Sequence, residues 1–361
     1  MKQKPKQQSK TLNFGLFLVL LILLVAALYF KTGMFSHNRS QKVQKSGQVE
    51  SAEKIAMPTP QLDALAYDAK LNQIANNPKI TSSSTTSTLA TLWPVKTVYP
   101  NYGALLPFNR VVAYYGNLYS KNMGILGEYP EDEMLDRLNS EVKKWQEADP
   151  ATPVIPALHY IAVVAQGGAG RDGKFRARMP ETEINKVLAM AEKIDGIVFL
   201  DVQLGQSNVQ TEVPLLEKYL KLPNVHLGID PEFAMAEGQK PGTVIGTLDA
   251  SDINFVADFL SKIIQENNLP PKILIIHRFT QKMLTNAKNI QPLPEVQVVI
   301  NMDGFGSRGS KLNTYKQYIY KEPVQFTGFK LFYKNDSARG PVLEPQDLLK
   351  LRPIPIYIQY Q

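Results

Sequence analysis

The chain has 361 residues, with 40 Lys and Arg, 33 Asp and Glu, four His, no cysteine and a formal net charge of +7. The absence of cysteine excludes disulfides, a thiolate nucleophile, a lipidated cysteine and any Cys-ligated zinc or iron–sulfur centre. Seven Lys and Arg39 against Glu50 alone, all within the first fifty residues, account for the entire net charge; the rest of the chain balances 32 basic against 32 acidic side chains. That balance removes the electrostatic case for a nucleic-acid-binding domain, and no nucleic-acid partner is expected.

Taken in chain order, residues 1–12 form a basic tail with Lys2, Lys4, Lys6 and Lys10 and no acid. An unbroken apolar or small run follows from Phe14 to Phe30. Its length is at the short end for a spanning helix, and a positive flank stays on the cytoplasmic side. Residues 13–30 therefore read as a transmembrane anchor that places the remainder outside the cytoplasm, single-pass at the cell membrane. The rival reading is a cleaved signal peptide, but the small residues near the end of the run, Ala26 and Ala27, lead into Leu28, Tyr29 and Phe30 rather than a small-x-small site. A large exported domain without disulfides holds together by core burial alone, which fits a bacterial envelope.

Residues 31–92 read as a stalk: polar and basic at first, then Pro58-Thr59-Pro60, a short helical pattern over 61–76 and an uncharged Ser/Thr run from Thr81 to Thr88. Such composition has little apolar surface to bury. From residue 93 onward strand-like and helix-like segments alternate. The strand runs are RVVAYYG (110–116), VIPALHYIAVVA (154–165), GIVFLDVQ (196–203), VHLGID (225–230), KILIIH (272–277), VQVVINMD (296–303), QFTGFKLFY (325–333) and IPIYIQY (354–360). Amphipathic helices are expected after Pro130 (Leu135, Leu138, Val142, Trp145), after Pro180 (Ile184, Val187, Ala191, Ile194) and after Asp249 as N-cap (Ile253, Val256, Leu260, Ile263). Eight strands alternating with helices over 93–361 predict an α/β fold, a (β/α)₈ TIM-like barrel, with an open doubly wound sheet as the alternative. No helix follows the eighth run in this sequence, and segment 61–76 is a candidate to pack in its place.

Strands of a barrel are covered on both faces, so polar residues inside them call for a reason. Alternation sets their direction. Asp201 and Gln203 share a phase on the third run; His226, Gly228 and Asp230 do so on the fourth, with Glu232 just beyond. His277 ends the fifth, Asn301 and Asp303 are in phase on the sixth, and Tyr357 and Gln359 on the eighth. Tyr114 and His159 are the matching candidates on the first two. These groups gather at C-terminal strand ends, where barrel enzymes place their chemistry. The expected site has Glu232, Asp230, Asp201 and Asp303 as candidate catalytic carboxylates. Tyr114, His159, Gln203, His277, Arg278, Phe305, Tyr357 and Gln359 are its candidate substrate contacts. Tyr115, Phe233, Phe279 and Phe305 follow strand ends and suit either sugar stacking or closure of the core rim.

Two other constellations are weaker. Gly168-Ala-Gly-Arg-Asp-Gly173 fits G-x-G-x-x-G, but seven residues separate it from the next helix, so no helix N-terminus meets a pyrophosphate there. It reads instead as a loop over the barrel mouth, with Arg171, Lys174, Arg176 and Arg178 as a basic patch. His159, Asp201, His277 and Asp303 offer metal-ligand chemistry without H-x-H or H-E-x-x-H spacing, so no metal or cofactor is expected.

The segments YYGN (114–117), LDVQ (200–203), IDPEFAM (229–235), IHRFTQKM (276–283) and INMDGFG (300–306) resemble an uncharacterised bacterial envelope and lipoprotein family with a barrel domain. That resemblance implies an exported barrel and carries no activity. The chain is more distantly similar to barrel glycoside hydrolases, many of which carry an acid/base Glu at the end of the fourth strand, the place of Glu232. It departs from them in having Pro231 where Asn usually precedes that Glu, and in offering only Asp336 near the end of the seventh strand. The expected function is action on a cell-envelope or extracellular glycan, probed against a non-catalytic barrel that binds a glycan or partner protein. The anchor reading predicts that a C-terminal reporter active only in the cytoplasm stays silent while an export-dependent one is active. Sequencing of the mature chain should find no new N-terminus near Leu28.

Overall fold

In the computed structural model, residues 61–78 and 91–361 are described. The basic tail, the anchor and most of the expected stalk (31–60 and 79–90, including the Ser/Thr run) lie outside the described residues. Among the described residues no helix is long and apolar enough to cross a membrane.

Eight parallel strands close into a barrel. They are β1 (Arg110–Gly116), β2 (Val154–Ala165), β3 (Ile197–Val202), β4 (Val225–Ile229), β5 (Lys272–Arg278), β6 (Val296–Met302), β7 (Phe326–Leu331) and β8 (Tyr357–Tyr360). Each pairs with its sequence neighbours, and β1 pairs with both β2 and β8, which leaves no free edge. Closure excludes the open doubly wound sheet. Each of the eight predicted runs holds one strand; the first two match in full, the fifth extends one residue to Arg278, and the other five are trimmed at their ends.

The strands are nearly continuous apolar runs because both faces are covered. Outward residues such as Val112, Leu158, Leu200, Leu227 and Ile276 pack into the layer beneath the helices. That layer includes α2 (Glu131–Ala148), α3 (Glu181–Glu192) and α4 (Ala250–Asn267). Glu131, Asp132 and Glu133 sit at the positive end of α2, and Asp249 with Asp252 forms a capping box at the start of α4. Most of the predicted inner stripes are buried: Leu135, Leu138 and Trp145 on α2, Ile184, Val187 and Ala191 on α3, and Ile253, Val256, Leu260 and Ile263 on α4, while Val142 is half-buried and Ile194 lies half-buried past the end of α3. Elsewhere the helical layer is abbreviated. Short turns span Val209–Leu220 between β3 and β4, and two 3₁₀ turns, Gln281–Met283 and Ala287–Asn289, stand where a helix would follow β5.

The N-terminal end of the barrel is plugged. Leu106 donates its backbone N–H to Gln297 Oε1 at 3.0 Å and accepts from Gln297 Nε2 at 2.6 Å, so the buried amide inside β6 is satisfied by the incoming loop. Across this end lies helix α1 (Ala64–Ala75), labelled first because it comes first in the chain. Asp63 caps its start, and Tyr67 and Ile74 enter the interior cluster with Leu106, Val111, Ile197, Ile273 and Phe326. The ring of Tyr67 meets that of Phe108 edge-on at 6.1 Å. Ile354 N–H donates to Ile74 O at 2.7 Å, and Asn76 Nδ2 to Leu351 O at 2.8 Å.

Packing against the barrel interior therefore includes a helix N-terminal to residue 93, the expected start of the barrel unit. The helix sits under the barrel floor, not on its flank in place of a final helix. The apolar Tyr67 and Ile74 are spaced to face one way, and the interior end of a barrel offers them a surface that composition does not reveal. Tyr67 is 2% exposed. Tyr67→Ala should therefore destabilise the protein by about 3 kcal/mol in urea titrations, as for other large aromatics removed from a core. A change within 0.5 kcal/mol would mean that the helix is dispensable.

Candidate active site

At the opposite, C-terminal end the interior turns polar. Alternation brings Tyr115, His159, Asp201, Gly228, His277, Asn301, Lys330 and Gln359 inward from eight successive strands. Above them the βα loops enclose a cavity of about 670 Å³ lined by Tyr115, Gln203, Asp230, Glu232, Asp303, Lys330 and the rings of Phe233, Phe279, Phe305 and Phe332, among others.

The polar layer is tightly interlocked. Asp201, fully buried, accepts the Tyr115 hydroxyl proton through Oδ2 at 3.0 Å. Its Oδ1 lies 3.2 Å from His159 Nε2 and 3.5 Å from His277 Nε2. His277 Nδ1 lies 2.9 Å from Asp303 Oδ2, and Lys330 Nζ is 2.9 Å from Asp303 Oδ1 and 3.8 Å from the centre of the Tyr115 ring. His159 Nδ1 meets Tyr357 Oη at 2.6 Å, and Gln359 Nε2 donates to the same hydroxyl at 2.9 Å. Two glycines make room. A Cβ at Gly228 would lie 2.5 Å from both Asp201 Oδ1 and His159 Nε2, and one at Gly328 would lie 2.6 Å from Asn301 Oδ1.

Environment drives the titratable groups apart. Burial pushes Glu232 up to about 7, helped by the negative charge of Asp303 and partly opposed by Lys330 and His277. Asp230 lies well above the usual carboxylate range, again through burial first. Burial acts the same way on Asp303, but Lys330 and His277 outweigh it and hold that carboxyl below its usual value. Burial would lower both imidazoles. It does so for His159, to about 4. His277, flanked by Asp303 and Asp201, is instead lifted to about 10. His159 faces one carboxylate and a neutral hydroxyl, which explains the difference.

The sequence-predicted residues divide into three groups. Glu232, Asp230, Asp303, Gln203 and Phe305 line the cavity. Asp201, His159, His277, Tyr357 and Gln359 lie beneath it, fully buried, and bear on the cavity only through Tyr115 and Asp303. Asp201, expected among the candidate catalytic carboxylates, thus lies in the layer beneath the cavity and outside its lining. Tyr114 and Arg278 point outward. Tyr114 packs on Tyr333 and Tyr360, its hydroxyl 3.1 Å from that of Tyr333, because β1 turns odd-numbered residues inward and so presents Tyr115 instead. Arg278 pins a loop, donating to the carbonyls of Thr280, Gln281, Leu284 and Tyr318 and pairing with Glu322 at 2.7 Å. Asp336 is also a loop anchor, accepting from the N–H groups of Gly306 and Phe332 and paired with Lys311 at 2.8 Å. The expected basic patch shrinks, since Arg176 and Arg178 both bind the buried Glu212, at 2.8 and 2.7 Å.

Lys330 and Phe332 are cavity residues that sequence reading missed; Lys330 is the one that carries charge. Its signal is a lysine in the inward phase of the run FTGFKLF, a place where a barrel strand ordinarily carries an aliphatic side chain.

No family model matches the chain, the envelope family of the sequence likeness included, and no curated protein matches it. Among solved structures one similar chain is described as "Cellulase Cel5C_n". It shares 13% identity over 65% of this chain and 68% of that chain, with a TM-score of 0.39. The barrel assignment rests on the strand pairing itself.

The raised proton affinity of Glu232 makes a stability prediction. Folded protein holds this proton more tightly than unfolded chain, so wild-type stability falls as pH rises from about 4.5 through 7. Glu232→Gln removes that loss. The variant should match wild type near pH 4 and exceed it at pH 8, by at most roughly 3 kcal/mol, in paired denaturant titrations. Equal curves at both pH values would place this carboxyl in water.

Proposed function

We propose that the cavity is the active site of a glycan-cleaving enzyme in which Glu232 is the proton donor and Asp303 the ionised partner. One observation supports this above the others: two carboxyl groups line the same cavity with proton affinities pushed in opposite directions. A carboxyl with a pKa near 7 retains a proton to give to a departing glycosidic oxygen. A carboxylate held ionised by Lys330 and His277 is suited to attack the anomeric carbon or to activate water, the separation between the two carboxyls deciding which. Asp230 accepts the Glu232 backbone N–H at 3.1 Å and so fixes the turn that carries the donor. Phe233, Phe279, Phe305 and Phe332 supply rings at the rim, and such faces stack on the apolar faces of sugars. Glu232 also stands where barrel glycoside hydrolases carry their acid/base residue after the fourth strand.

The substrate is proposed to be a cell-envelope or extracellular polymer, since the basic flank and apolar segment at the N-terminus suit a tether to the outer face of a membrane. Glu232→Gln keeps shape and removes the proton. Turnover should fall by about 10²–10⁴ while retention on the glycan survives. Wild-type activity should decline as pH rises through about 7, and this limb should be absent from the residual activity of the variant. Retention without product release by the wild type, across a panel of envelope polysaccharides, would identify a glycan-binding module instead.

A further inference from the structure

Three buried donor atoms converge beneath the cavity floor. His159 Nε2 and His277 Nε2 lie 3.2 and 3.5 Å from Asp201 Oδ1, all three within 4.8 Å of one another. Their side chains are 0% exposed, and beyond their close approach to one another none of the three atoms has a hydrogen-bond partner among the described residues. Buried polar atoms rarely go unpaired, so three gathered at one place suit an occupant held between them.

The remaining atoms of these side chains are committed elsewhere, and for His277 in an orientation that suits a cation. His277 Nδ1 is 2.9 Å from Asp303 Oδ2, and His159 Nδ1 is 2.6 Å from the Tyr357 hydroxyl. A ring that donates from Nδ1 presents the lone pair of Nε2. Asp303, an ionised carboxylate, can only accept from His277 and so sets that tautomer there, while the Tyr357 hydroxyl can accept from or donate to His159 and supports the ring in either form. Asp201 Oδ2 is taken by Tyr115, which leaves Oδ1 facing the two imidazoles. Spacing agrees. Ligand atoms about 2.0–2.1 Å from a tetrahedral zinc stand roughly 3.3 Å apart. Gly228 keeps the space open, because a Cβ there would come within 2.5 Å of two of the three donors.

We infer that His159, Asp201 and His277 form a binding site for a divalent transition-metal ion, with zinc the best match. Two imidazoles and one carboxylate select zinc or its neighbours over magnesium and calcium, which prefer all-oxygen sets. Three protein ligands leave one tetrahedral position for water. None of the three residues lines the cavity, so the ion is a fixed charge beneath it that orients Asp303 through His277 and Tyr115 through Asp201. The ligands come from β2, β3 and β5, three different strands, and so no short spacing motif announces them. The competing occupant is a proton on His277, bridging two carboxylates.

Cobalt(II) and zinc uptake by the full-length chain separates the two. After chelator treatment, the wild type should take up one equivalent of Co²⁺ with the intense visible bands of four-coordinate cobalt. Zn²⁺ should displace it and Mg²⁺ should not. Tyr357→Phe removes no ligand and should weaken binding about 10-fold or more, and Asp201→Asn should weaken it further, with circular dichroism verifying the fold of each. If wild type shows no four-coordinate cobalt spectrum, or Asp201→Asn binds as tightly as wild type, the site is held by a proton and the inference fails. The wild-type measurement decides even if a variant does not fold.

Discussion

The mouth of this barrel is organised around one buried carboxylate. Asp201 projects from β3 into the interior, where an isolated charge is costly and only close partners make it tolerable. Its partners, Tyr115, His159 and His277, come from β1, β2 and β5. Each of these needs partners of its own. Tyr357 and Gln359 hold His159 from β8, Asp303 holds His277 from the end of β6, and Lys330 holds Asp303 from β7. The chain of obligations therefore draws on nearly every strand, and it fixes side chains whose orientation is decided by what lies beneath them.

The cavity inherits its chemistry from this layer. Asp303 stands at the boundary: its two oxygens are gripped from below by His277 and Lys330 while its side chain still lines the open space. Glu232 lies farther along its loop, away from any ion-pair partner, so burial dominates and its proton is retained. The difference between the two carboxyls is thus one of position relative to a single network, not of residue type.

The two ends of the barrel divide the labour. At the N-terminal end the interior is filled by Val111, Ile197, Ile273 and Phe326, sealed by α1 and by the amide of Gln297. The apolar packing there supplies cohesion without chemistry. At the C-terminal end aliphatic side chains give way to His, Asp, Lys and Tyr, and stability is exchanged for a site. Gly228 and Gly328 mark the transition, since side chains at those positions would occupy the volume that Asp201, His159 and Asn301 need.

Strand runs were legible in the sequence because a parallel barrel strand is covered on both faces and must read as a near-continuous apolar segment. The polar interruptions in those runs were legible for the same reason, and alternation correctly turned Asp201, His277, Asn301 and Asp303 inward. Phase failed at β1, where two adjacent tyrosines left the choice between Tyr114 and Tyr115 to the register of closure. Depth failed too. Sequence marks a residue as inward but not as floor or layer beneath it, so Asp201 and Asp303 looked equivalent, and the shear of the closed sheet separated them. Arg278 shared a segment with His277 yet faces the loops outside. The helix Ala64–Ala75 lay in a stretch whose composition resembles a stalk, and only the open end of the barrel gave Tyr67, Leu71 and Ile74 something to cover. The residues, then, determined that there would be eight covered strands with polar groups at one end. Closure of the sheet decided which of those groups meet, since contacts among residues some two hundred positions apart are set by the geometry of the ring and leave no local pattern behind.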